Sequence, residues 1–572
     1  MSNPSELLET LARRGRVARG HTRAGVVAKA GLLAGRLLAF LRSPRGQCAA
    51  AWGVVLLAVA FEIVVVGQRA LVRYQSYSAD AFDLGNMDQA VWNTLHGHPF
   101  RFTNRGLDWQ GPPTRLGFHV EPILLLIAPL YLLHAGPETL IVLQTGALAL
   151  GAVPLFALAL RHLPAHPWVA AALAGAYLAT PALLGAALWD FHPITLATPL
   201  LVAALWALDT RRYGWFVVAA ALAALTKEDV ALSLIPLGVY LAVWQGKPRL
   251  GWGVALAAFG WTALCFLVIL PHFNDGASGG NNYWYRYAWA GDTPGAAIAN
   301  VLTHPWLPFQ YVLDSAERRG YLALLLRIGG GFGLLAPALW LCALPELAVN
   351  VLSTHFEQYS GFYQYNAMLG AYLPVAAVFG VAALYRAHGE ASIAHGRTPS
   401  RPRLPARLVA WLNSVAARWR GLLARIPVPS RWIAPFVIAW LLLTSVWNLG
   451  ALNPRLQAFW NAGARPAPHQ TQINALLASV PPAATVAATD TLNPHLSDRY
   501  TIYLLPDPQS YTAEYAAFDI PHAAEQFQSA DQRILDTMLA SGRYAVVGRV
   551  ESVVLLHRTG PPLTPPAVGP AS

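Results

Sequence analysis

The feature that most constrains this chain is a series of long apolar runs that recurs along most of its 572 residues. A helix needs about 20 consecutive apolar residues to cross the hydrocarbon core of a bilayer, and runs of this length with few charges are typical of membrane spans. A further run at 122–133 has about a dozen residues, which is too short to cross and is typical of a re-entrant or interfacial segment. We predict eleven spans, at residues 49–68, 138–160, 167–188, 192–208, 213–226, 229–245, 250–271, 320–336, 337–353, 367–385 and 432–450.

The distribution of charge predicts the orientation of these spans. Only 12% of the residues are charged, about half the share of a soluble domain, and 55% are hydrophobic, so a soluble protein is excluded. The net charge of +11 is concentrated in two blocks, residues 1–46 and 386–431, with nine Lys or Arg in each. Basic segments next to spans stay on the cytoplasmic side, so both blocks are predicted to be cytoplasmic. The positive charge therefore indicates orientation in the inner (plasma) membrane, and no nucleic-acid partner is expected.

Counting the spans from a cytoplasmic amino terminus predicts three large outer segments. If 122–133 does not cross, the basic block at 386–431 lies inside and the carboxyl terminus lies outside. The Pro- and Arg-rich stretch 396–430 contains amphipathic pieces and is predicted to lie on the inner headgroup surface. The predicted outer segments are residues 69–137, 272–319 and 451–572.

The outer tail differs from the rest of the chain because it is less apolar and alternates helical and strand patterns. Such alternation favours a small α/β domain. The predicted fold class is thus an α-helical polytopic membrane protein with a basic cytoplasmic segment at 1–48, a transmembrane domain at 49–450, and a small extracytoplasmic α/β domain at the C-terminus, 451–572. The tail elements are helices at 468–479 and 523–540, and strands at 484–489, 544–548 and 552–556.

The first outer segment contains the most informative polar residues. Asp83 lies near the predicted start of a helix that continues through Asp88, and a carboxylate next to the membrane is either a general base or a helix cap. His119 and Glu121 lie two residues apart, just before the short apolar run. This pair either ligates a metal or phosphate or forms a hydrogen bond at the rim.

Two tight turns between predicted spans also place charged groups on the outer side. Asp190 and His192 lie in the first turn, and Lys227, Glu228 and Asp229 form the second. Lys227 is one of only three lysines in the chain. Three charges at the membrane surface are costly unless they are paired or functional, so this hairpin either binds a lipid-linked phosphate or is salt-bridged among headgroups.

Glu346 lies inside an apolar stretch and is either paired with an arginine of the bundle or close to the site. In the tail, the segment from Asp490 to Arg499 follows a predicted strand, where a loop either contacts a ligand or forms a structured turn. The chain contains no Walker motif, dinucleotide fingerprint, zinc signature or nucleophile elbow.

Several of these segments resemble, in chain order, the DUF2079 family of predicted bacterial membrane proteins, and the resemblance covers about residues 70–557. That family is similar to the GT-C glycosyltransferase superfamily, whose members have many spans and a catalytic acidic residue in the first outer loop. The segments are Phe82-Asp83-Leu84-Gly85 with Asp88-Gln89-Ala90-Val91-Trp92-Asn93, Asp190-Phe191-His192-Pro193, Thr226-Lys227-Glu228-Asp229, Leu344-Pro345-Glu346, and Pro494-His495-Leu496-Ser497 with Arg499.

The resemblance implies a GT-C-like membrane glycosyltransferase that moves a sugar from a polyprenyl-phosphate carrier to an acceptor on the outer side. The implied partners are the lipid-linked sugar, membrane lipid and an unknown acceptor. Asp83 would be the catalytic base, and Lys227, with His119 or His192, would offset charge on the leaving phosphate. The aromatic segment at 283–289 would stack on the sugar. The further candidate substrate-binding residues are Asp88, Glu121, Asp190, Glu228, Asp229 and Glu346.

The sequence departs from the superfamily pattern at two positions. Leu84 follows Asp83 where many of those enzymes have a second acid, so Asp80 or Asp88 becomes the candidate partner for a divalent metal, the one cofactor considered. Gln364 and Tyr365 stand where a His-Tyr pair is expected. The departures keep two alternatives open, namely a transporter or lipid flippase, and a non-catalytic membrane scaffold with the same fold.

Overall fold

The computed structural model describes residues 39–104, 112–243, 245–274, 283–388, 429–451 and 467–564, with the isolated residues Arg418, Gly421, Gln457 and Ala458. Most of the predicted cytoplasmic segment 1–48 and of the predicted interfacial stretch 396–430 therefore lies outside the described residues.

Helices dominate the chain before the tail. The first helix shows how the sequence starts an element here, because the Ser43 side chain accepts a hydrogen bond from the Gly46 N–H and Pro44 occupies the first helical position. A π-helical turn, Ala81–Gly85, follows this helix. The α-helices are α1 (Pro44–Gln75), α2 (Asn86–Leu95), α3 (Leu124–Ile127), α4 (Pro137–Leu150), α5 (Ala152–His162), α6 (Pro167–Leu178), α7 (Pro181–Leu188), α8 (Ala197–Asp209), α9 (Tyr213–Ala224), α10 (Val230–Val243), α11 (Pro248–Leu264), α12 (Leu270–Phe273), α13 (Pro294–Thr303), α14 (Leu307–Leu313), α15 (Ala316–Arg327), α16 (Pro337–Leu352), α17 (Leu369–Ala387) and α18 (Ser430–Ala451).

The number of helices that could each cross a membrane is smaller than predicted. Within the described residues, five helical segments are long and apolar enough, or six if α6 and α7, which meet at a bend of 46°, form one span. Four more of the predicted runs form helices of 10–17 residues within the described part of the chain, which are short for a hydrocarbon core of about 30 Å at 1.5 Å per residue. The prediction of eleven crossings is therefore not confirmed. The five segments are Pro44–Gln75, Pro137–His162, Pro248–Phe273, Gln364–Ala387 and Arg431–Gly450.

One predicted span, 320–336, is not a continuous helix. Gly329, Gly330 and Gly331 all have positive φ values between 59° and 76°, which end α15 and start a kinked segment at Ile328–Leu335. Glycine adopts this conformation without a side-chain clash. The absence of side chains also permits close packing, because a Cβ on Gly329 would lie 2.4 Å from the Cβ of Ala377 in α17.

α17 is the central helix of the bundle. In the most apolar 18-residue stretch of the segment Gln364–Ala387, which contains α17, 89% of the residues are buried. The corresponding share is 28% for the segments of α1 and of α18. α16, α8 and the glycine kink pack around it. The apolar groups of the outer helices therefore remain exposed for contact with lipid, as expected for a membrane bundle.

The tail forms a small α/β domain with a mixed five-stranded sheet, as predicted, although the short strands β2 and β3 were not. The strand order is β2-β1-β3-β5-β4, with β1 parallel to β2 and β3, and β5 antiparallel to β3 and β4. Alternate strand residues pack on opposite faces, one core including α19 and the other including α20. The elements are α19 (Ala467–Leu477), β1 (Val486–Ala488), β2 (Ile502–Leu504), β3 (Tyr515–Phe518), α20 (Glu525–Ala540), β4 (Tyr544–Val550) and β5 (Val553–Arg558).

The tail domain packs directly on the segment between α1 and α2. Tyr77 belongs to the same buried apolar cluster as α19, and the His495 ring lies between Tyr74 and Tyr77, with centroids 4.2 and 4.0 Å away. The Thr103 hydroxyl donates to the Ile502 carbonyl at 2.7 Å. The C-terminal domain and the first loop therefore form one unit at one end of the bundle.

Candidate functional site

A cavity of about 740 Å³ lies where the first loop, two interhelical turns, the aromatic segment 283–289 and helices α13 and α16 meet. Seven of the ten predicted site residues line it, although they come from three separate parts of the sequence. The remaining three, Asp88, Asp190 and Glu346, do not. The seven lining residues are Asp83, His119, Glu121, His192, Lys227, Glu228 and Asp229.

Asp83 lies inside the π-helical turn Ala81–Gly85, and the cap of this turn is a different aspartate. The Asp80 side chain accepts a hydrogen bond from the Asp83 N–H at 2.9 Å. π-helical turns are rare, and those that occur often lie at functional sites. Because Asp80 provides the cap, the Asp83 carboxylate is free to point toward the cavity.

Two side chains hold the Asp83 carboxylate. Trp189 Nε1 donates to Oδ2 at 2.9 Å, and His192 Nε2 lies 3.1 Å from Oδ1. Burial raises the pKa of Asp83, but the charge and hydrogen bond of His192 and the bond from Trp189 outweigh it and lower that pKa to about 2. Asp83 is therefore ionised, and 29% of its side chain remains accessible.

His192 is oriented by groups on both ring nitrogens. Nδ1 lies 3.0 Å from the Asp190 carbonyl oxygen, while Nε2 faces Asp83 and the Gln364 amide nitrogen, which is 3.0 Å away. Burial lowers the pKa of His192, but the Asp83 carboxylate and its hydrogen bond raise it above the ordinary value. A His-Tyr pair was expected at the position of Gln364. Gln364 instead contacts His192, which in turn contacts Asp83.

Asp190 lies behind this pair and does not line the cavity. Its carboxylate forms a buried ion pair with Arg73 and accepts a hydrogen bond from the Asp80 N–H at 3.0 Å. Carboxylate oxygens of Asp80, Asp83 and Asp190 all lie within 4.8 Å of one another. Burial and the other two carboxylates raise the pKa of Asp80 well above its usual range.

Among the described residues, these three carboxylates are the most suitable ligands for a divalent cation, because hard cations prefer oxygen ligands. Asp80, and not Asp88, is the second acid beside Asp83. The fit is incomplete, since Arg73 already pairs with Asp190 and His192 with Asp83.

The charged hairpin between α9 and α10 forms two separate pairs. Lys227 Nζ lies 3.0 Å from Asp229 Oδ2, while Glu228 accepts from His119 Nδ1 and from the Val120 N–H, both at 2.9 Å. Burial raises the pKa of Glu228, but His119 and Lys227 lower it to about 2. Burial lowers the pKa of Lys227, but Asp229 and Glu228 raise it. The lysine is therefore a fixed cation at the cavity wall.

His119 and Glu121 do not act as a pair. Arg115 donates to Glu121 Oε2 through Nε at 3.1 Å and through a terminal nitrogen at 2.8 Å, and both residues are buried. The His119 ring stacks on Tyr283 with centroids 5.4 Å apart. The two neighbours therefore serve different partners on the same wall.

Arg286 and Arg115 are the two cations of the cavity lining that the sequence did not single out, and Arg115 pairs with Glu121. The Arg286 guanidinium lies over the Tyr283 ring at 4.5 Å and within 3.4 Å of the Gln358 amide oxygen. Arg115, His119 and Lys227 each pair with a carboxylate, but Arg286 has no carboxylate partner among the described residues. Its position within a Tyr- and Trp-rich segment that was predicted to be outer was the available signal.

Part of the cavity wall is apolar. Ile298 and Leu302 of α13 line it together with Val349 and Leu352 of α16 and Phe266. Ile298 and Leu302 are also 62% and 76% exposed. At this point, the thickness of one helix, α13, lies between the cavity and the surroundings of the bundle.

Asp88 and Glu346 perform other roles in the structure. Asp88 is fully buried and accepts from the Tyr131 and Ser497 hydroxyls, both at 2.6 Å, so it joins α2 to the tail domain. Glu346 accepts from the Met368 and Leu369 N–H groups, and thus caps α17 instead of pairing with an arginine. It borders a separate cavity of about 20 Å³ next to Lys227.

The segment from Asp490 to Arg499 contacts the first loop and does not line the cavity. Asp490 Oδ1 accepts from the Ala81 N–H at 2.9 Å, and Asn493 bonds to Asn104. Burial raises the pKa of Asp490 to about 6, with Asp190 and Asp83 adding to the shift. The loop thus reaches the back of the turn that carries Asp83.

Two of three comparisons relate this chain to known proteins. The model of a family described as "Predicted membrane protein (DUF2079)" matches residues 73–555. No curated protein matches the chain. Among solved structures, the crystal structure of ArnT from Cupriavidus metallidurans bound to undecaprenyl phosphate is similar, with 17% identity, a TM-score of 0.47, and coverage of 88% of this chain and 98% of that one. The apo structure of the same protein gives 16% identity, a TM-score of 0.45, and coverage of 89% and 98%.

Proposed function

This chain belongs to the DUF2079 family of predicted membrane proteins, and from that premise we propose that it is a multi-pass membrane glycosyltransferase. It moves a sugar from a polyprenyl-phosphate donor to an acceptor on the outer side of the membrane. The observation that carries the proposal is the mixed lining of the cavity, which combines an ionised carboxylate, cations and aromatic rings with an apolar wall.

The polar and the apolar parts of this lining match the two parts of a lipid-linked sugar. The prenyl chain lies against the apolar wall formed by Ile298, Leu302 and Leu352. The phosphate lies among the cations, and the sugar stacks on rings of the aromatic segment, which include Tyr283 and Trp289. Burial of each prenyl CH₂ contributes about 0.8 kcal/mol, so the lipid supplies much of the donor affinity.

Arg286 is the principal phosphate ligand in this proposal. Its planar guanidinium can form two parallel hydrogen bonds to phosphate, and no carboxylate competes for it among the described residues. Lys227 contributes a second positive charge, although Asp229 offsets part of it. Together the two cations stabilise the negative charge that grows on the leaving phosphate.

Asp83 is the catalytic base. As the bond from the sugar C1 to the phosphate oxygen breaks, polyprenyl phosphate leaves with the electron pair, and an acceptor hydroxyl oxygen forms the new bond to C1. The hydroxyl proton passes to Asp83, which is ionised and accessible. A low pKa makes Asp83 a weak base at rest, so an acceptor that displaces His192 would raise its basicity at the moment of transfer.

His192 and Trp189 are orienting groups for this base, because both contact the Asp83 carboxylate. If a divalent metal takes part, Asp80, Asp83 and Asp190 are the residues that would hold it. Such an ion would supply positive charge near the acceptor oxygen, and none of the roles given above depends on it.

A transfer assay tests the proposal. Purified protein in lipid nanodiscs is incubated with a panel of polyprenyl-phosphate sugars and candidate acceptors, with and without divalent metal, and release of polyprenyl phosphate is measured. We expect release by the wild type and a loss of at least about 100-fold in Asp83→Asn, because one general base contributes roughly 10²–10⁴-fold. Asp314→Asn, which makes the same chemical change at an exposed residue of a different predicted outer segment, 272–319, should retain wild-type activity.

Equal rates in the wild type and Asp83→Asn would contradict the assignment of the base. Failure of the donors both to react and to bind would contradict the enzyme as a whole. Transport of lipid-linked sugar in liposomes would then support the transporter or flippase alternative, and its absence would support a scaffold.

A further inference from the structure

The tail domain reaches the back of the catalytic turn through two buried asparagines. Asn104, in the first loop, and Asn493, in the tail, are both fully buried. Each amide nitrogen donates to the other side chain's oxygen, and both distances are 2.8 Å. We call these two residues the asparagine pair.

The asparagine pair contacts both ends of the π-helical turn Ala81–Gly85. The Asn104 amide also donates to the Ala81 carbonyl at 3.1 Å. At the other end, Asn493 Oδ1 lies so close to Gly85 that a Cβ there would approach it to 2.6 Å. The absence of a side chain at Gly85 is therefore what allows the pair to lie against the turn.

A π-helical turn needs such external partners. The first N–H groups of any helical turn have no partner within it. Here the Asp80 side chain accepts from the Asp83 N–H, and Asp490 of the tail accepts from the Ala81 N–H at 2.9 Å. Two of the groups that fix the turn, Asp490 and Asn493, thus come from the tail domain.

The two faces of the turn have different partners. Asn493 and Asp490 contact the main chain on the back, while the Asp83 side chain faces Trp189 and His192 at the cavity. Movement of the turn by a fraction of an ångström would lengthen the bonds to Trp189 and His192. Errors of about 1 Å in placing a reacting group cost roughly 10²-fold in rate.

We propose that Asn104 and Asn493 are positioning residues for Asp83, so that the tail domain completes the catalytic turn without contacting substrate. The catalytic part of this statement rests on the proposed function, whereas the placement of Asp83 by the pair does not. The tail is then an integral part of the site in addition to any role in acceptor binding.

Two variants separate positioning from ordinary loss of packing. Asn493→Ala removes both hydrogen bonds of the pair and leaves Gly85 uncovered. Ser497→Ala is the matched control, because Ser497 is also fully buried in the same loop but bonds to Asp88 of α2 and not to the turn. If Asn493→Ala does not accumulate in membranes, Asn493→Asp keeps the side-chain shape and still removes the donated bond to Asn104.

The first readout does not require activity. The indole N–H proton of Trp189, assigned by its loss in Trp189→Phe, is followed by nitrogen-edited NMR of the chelator-treated protein in nanodiscs. Its downfield shift reports the bond to Asp83, and Asp83→Asn gives the position expected when that bond to a carboxylate is lost. We expect Asn493→Ala to move the resonance toward that position and Ser497→Ala to leave it unchanged.

The second readout is catalytic. Where the wild type transfers sugar, Asn493→Ala should lower kcat by about 100-fold and change the donor KM by less than about threefold. Ser497→Ala should keep kcat within about threefold of the wild type.

A Trp189 resonance at the wild-type position in Asn493→Ala, or equal shifts in Asn493→Ala and Ser497→Ala, would overturn the positioning role. A shift in Asn493→Ala alone would support it even if the wild type releases no polyprenyl phosphate. Failure of the proposed function is therefore distinguishable from failure of this inference.

Discussion

His192 Nε2 lies 3.1 Å from Asp83 Oδ1, while the other ring nitrogen, Nδ1, lies 3.0 Å from the Asp190 carbonyl oxygen. A carbonyl oxygen only accepts, so Nδ1 carries a proton, and the ring is charged whenever Nε2 also donates to Asp83. The imidazole thus orients the carboxylate and also lowers its basicity, and the consequences of these two effects can be tested separately.

Replacing His192 should make the transfer rate sensitive to acid. His192→Asn removes the main group that lowers the pKa of Asp83, so that pKa rises from about 2 toward or above the ordinary value near 3.9. Since the ionised carboxylate is the active form, activity is present above this pKa and is lost as pH falls through it. We expect a flat wild-type profile of kcat from pH 7 to pH 4, and for His192→Asn a rate that falls to about half as pH reaches the raised pKa near 4. His304→Asn, a change at an exposed histidine, should remain flat, and a flat profile in both variants would contradict the role of His192.

The Lys227–Asp229 pair can be tested for a structural or a phosphate-binding role by a double replacement. Lys227→Met leaves the Asp229 charge without its partner and should lower the melting temperature of the protein, with a cost of up to about 3 kcal/mol. Adding Asp229→Leu removes the isolated charge and should restore much of that stability. If Lys227 binds phosphate, the double variant is stable but its affinity for polyprenyl phosphate stays about tenfold or more below the wild type. Recovery of both quantities would identify the hairpin as a purely structural salt bridge.

Arg286→Lys should weaken binding of polyprenyl phosphate while retaining the positive charge. A lysine cannot form the two parallel hydrogen bonds of a guanidinium and loses the stacking on Tyr283. The loss of one charge-assisted hydrogen bond is worth about 1.5–3 kcal/mol, which predicts a Kd roughly 10- to 100-fold higher. The measurement is titration with a short-chain polyprenyl phosphate in detergent. Arg319→Lys, on the exposed face of α15, is the control, and equal affinities in the two variants would remove Arg286 from the phosphate site.

Docking of the tail domain should weaken as pH rises, because of Asp88. Burial raises the folded-state pKa of Asp88 to about 8, above an unfolded value near 3.9, although the Ser497 and Tyr131 hydroxyls oppose the shift. The folded protein therefore binds the extra proton between these values, and its stability falls by about 1.4 kcal/mol per pH unit as pH rises toward 8. Limited proteolysis of the tail should be faster at pH 8 than at pH 6 in the wild type. Asp88→Asn should flatten this dependence and Asp314→Asn should preserve it; a wild-type dependence in Asp88→Asn would contradict the prediction.

Periodic and compositional signals predicted the positions of most helices. The limits of the helical segment Pro248–Phe273 and of α18 lie within a few residues of the predicted runs, whereas α1 begins five residues before 49 and continues seven residues beyond 68. The length and composition of an apolar run do not show where the helix within it ends, and so do not show whether that helix is long enough to cross a membrane. The helix in the run 213–226, for example, ends at Ala224. The run that contains Gly329–Gly331 is apolar and was predicted to be one span, but the positive φ values of these glycines interrupt the helix.

The tail illustrates a different limit of sequence analysis. β4 and β5 follow alternating apolar patterns and were predicted, whereas β2 and β3 have three and four residues and too little pattern to recognise. Their pairing with β1 depends on contacts across the sheet.

The candidate site was predicted as a set of residues but not as an arrangement. Lys227 stood out because three charges in one hairpin at the membrane surface are costly without a role. Asp83 stood out as a carboxylate at a predicted helix start, and His192 as part of a polar turn between two predicted spans. Their partners did not, because the contacts of Trp189, Gln364 and Arg286 depend on side-chain directions that follow only from the packed bundle. His119 and Glu121 are neighbours in sequence, yet their side chains pair with Glu228 and Arg115 respectively.

The bond between Ala81 and Asp490 joins residues 409 positions apart. A ribosome adds about 5–20 residues per second, so the turn that carries Asp83 is made roughly 20–80 s before the chain that fixes it. During that interval the tail residues that bond to the back of the turn have not been synthesised, so the polar groups there are bonded to water or to a chaperone. We therefore expect the cavity to be assembled last, after the whole bundle has inserted, and a chain that terminates early to insert normally and yet contain no formed site.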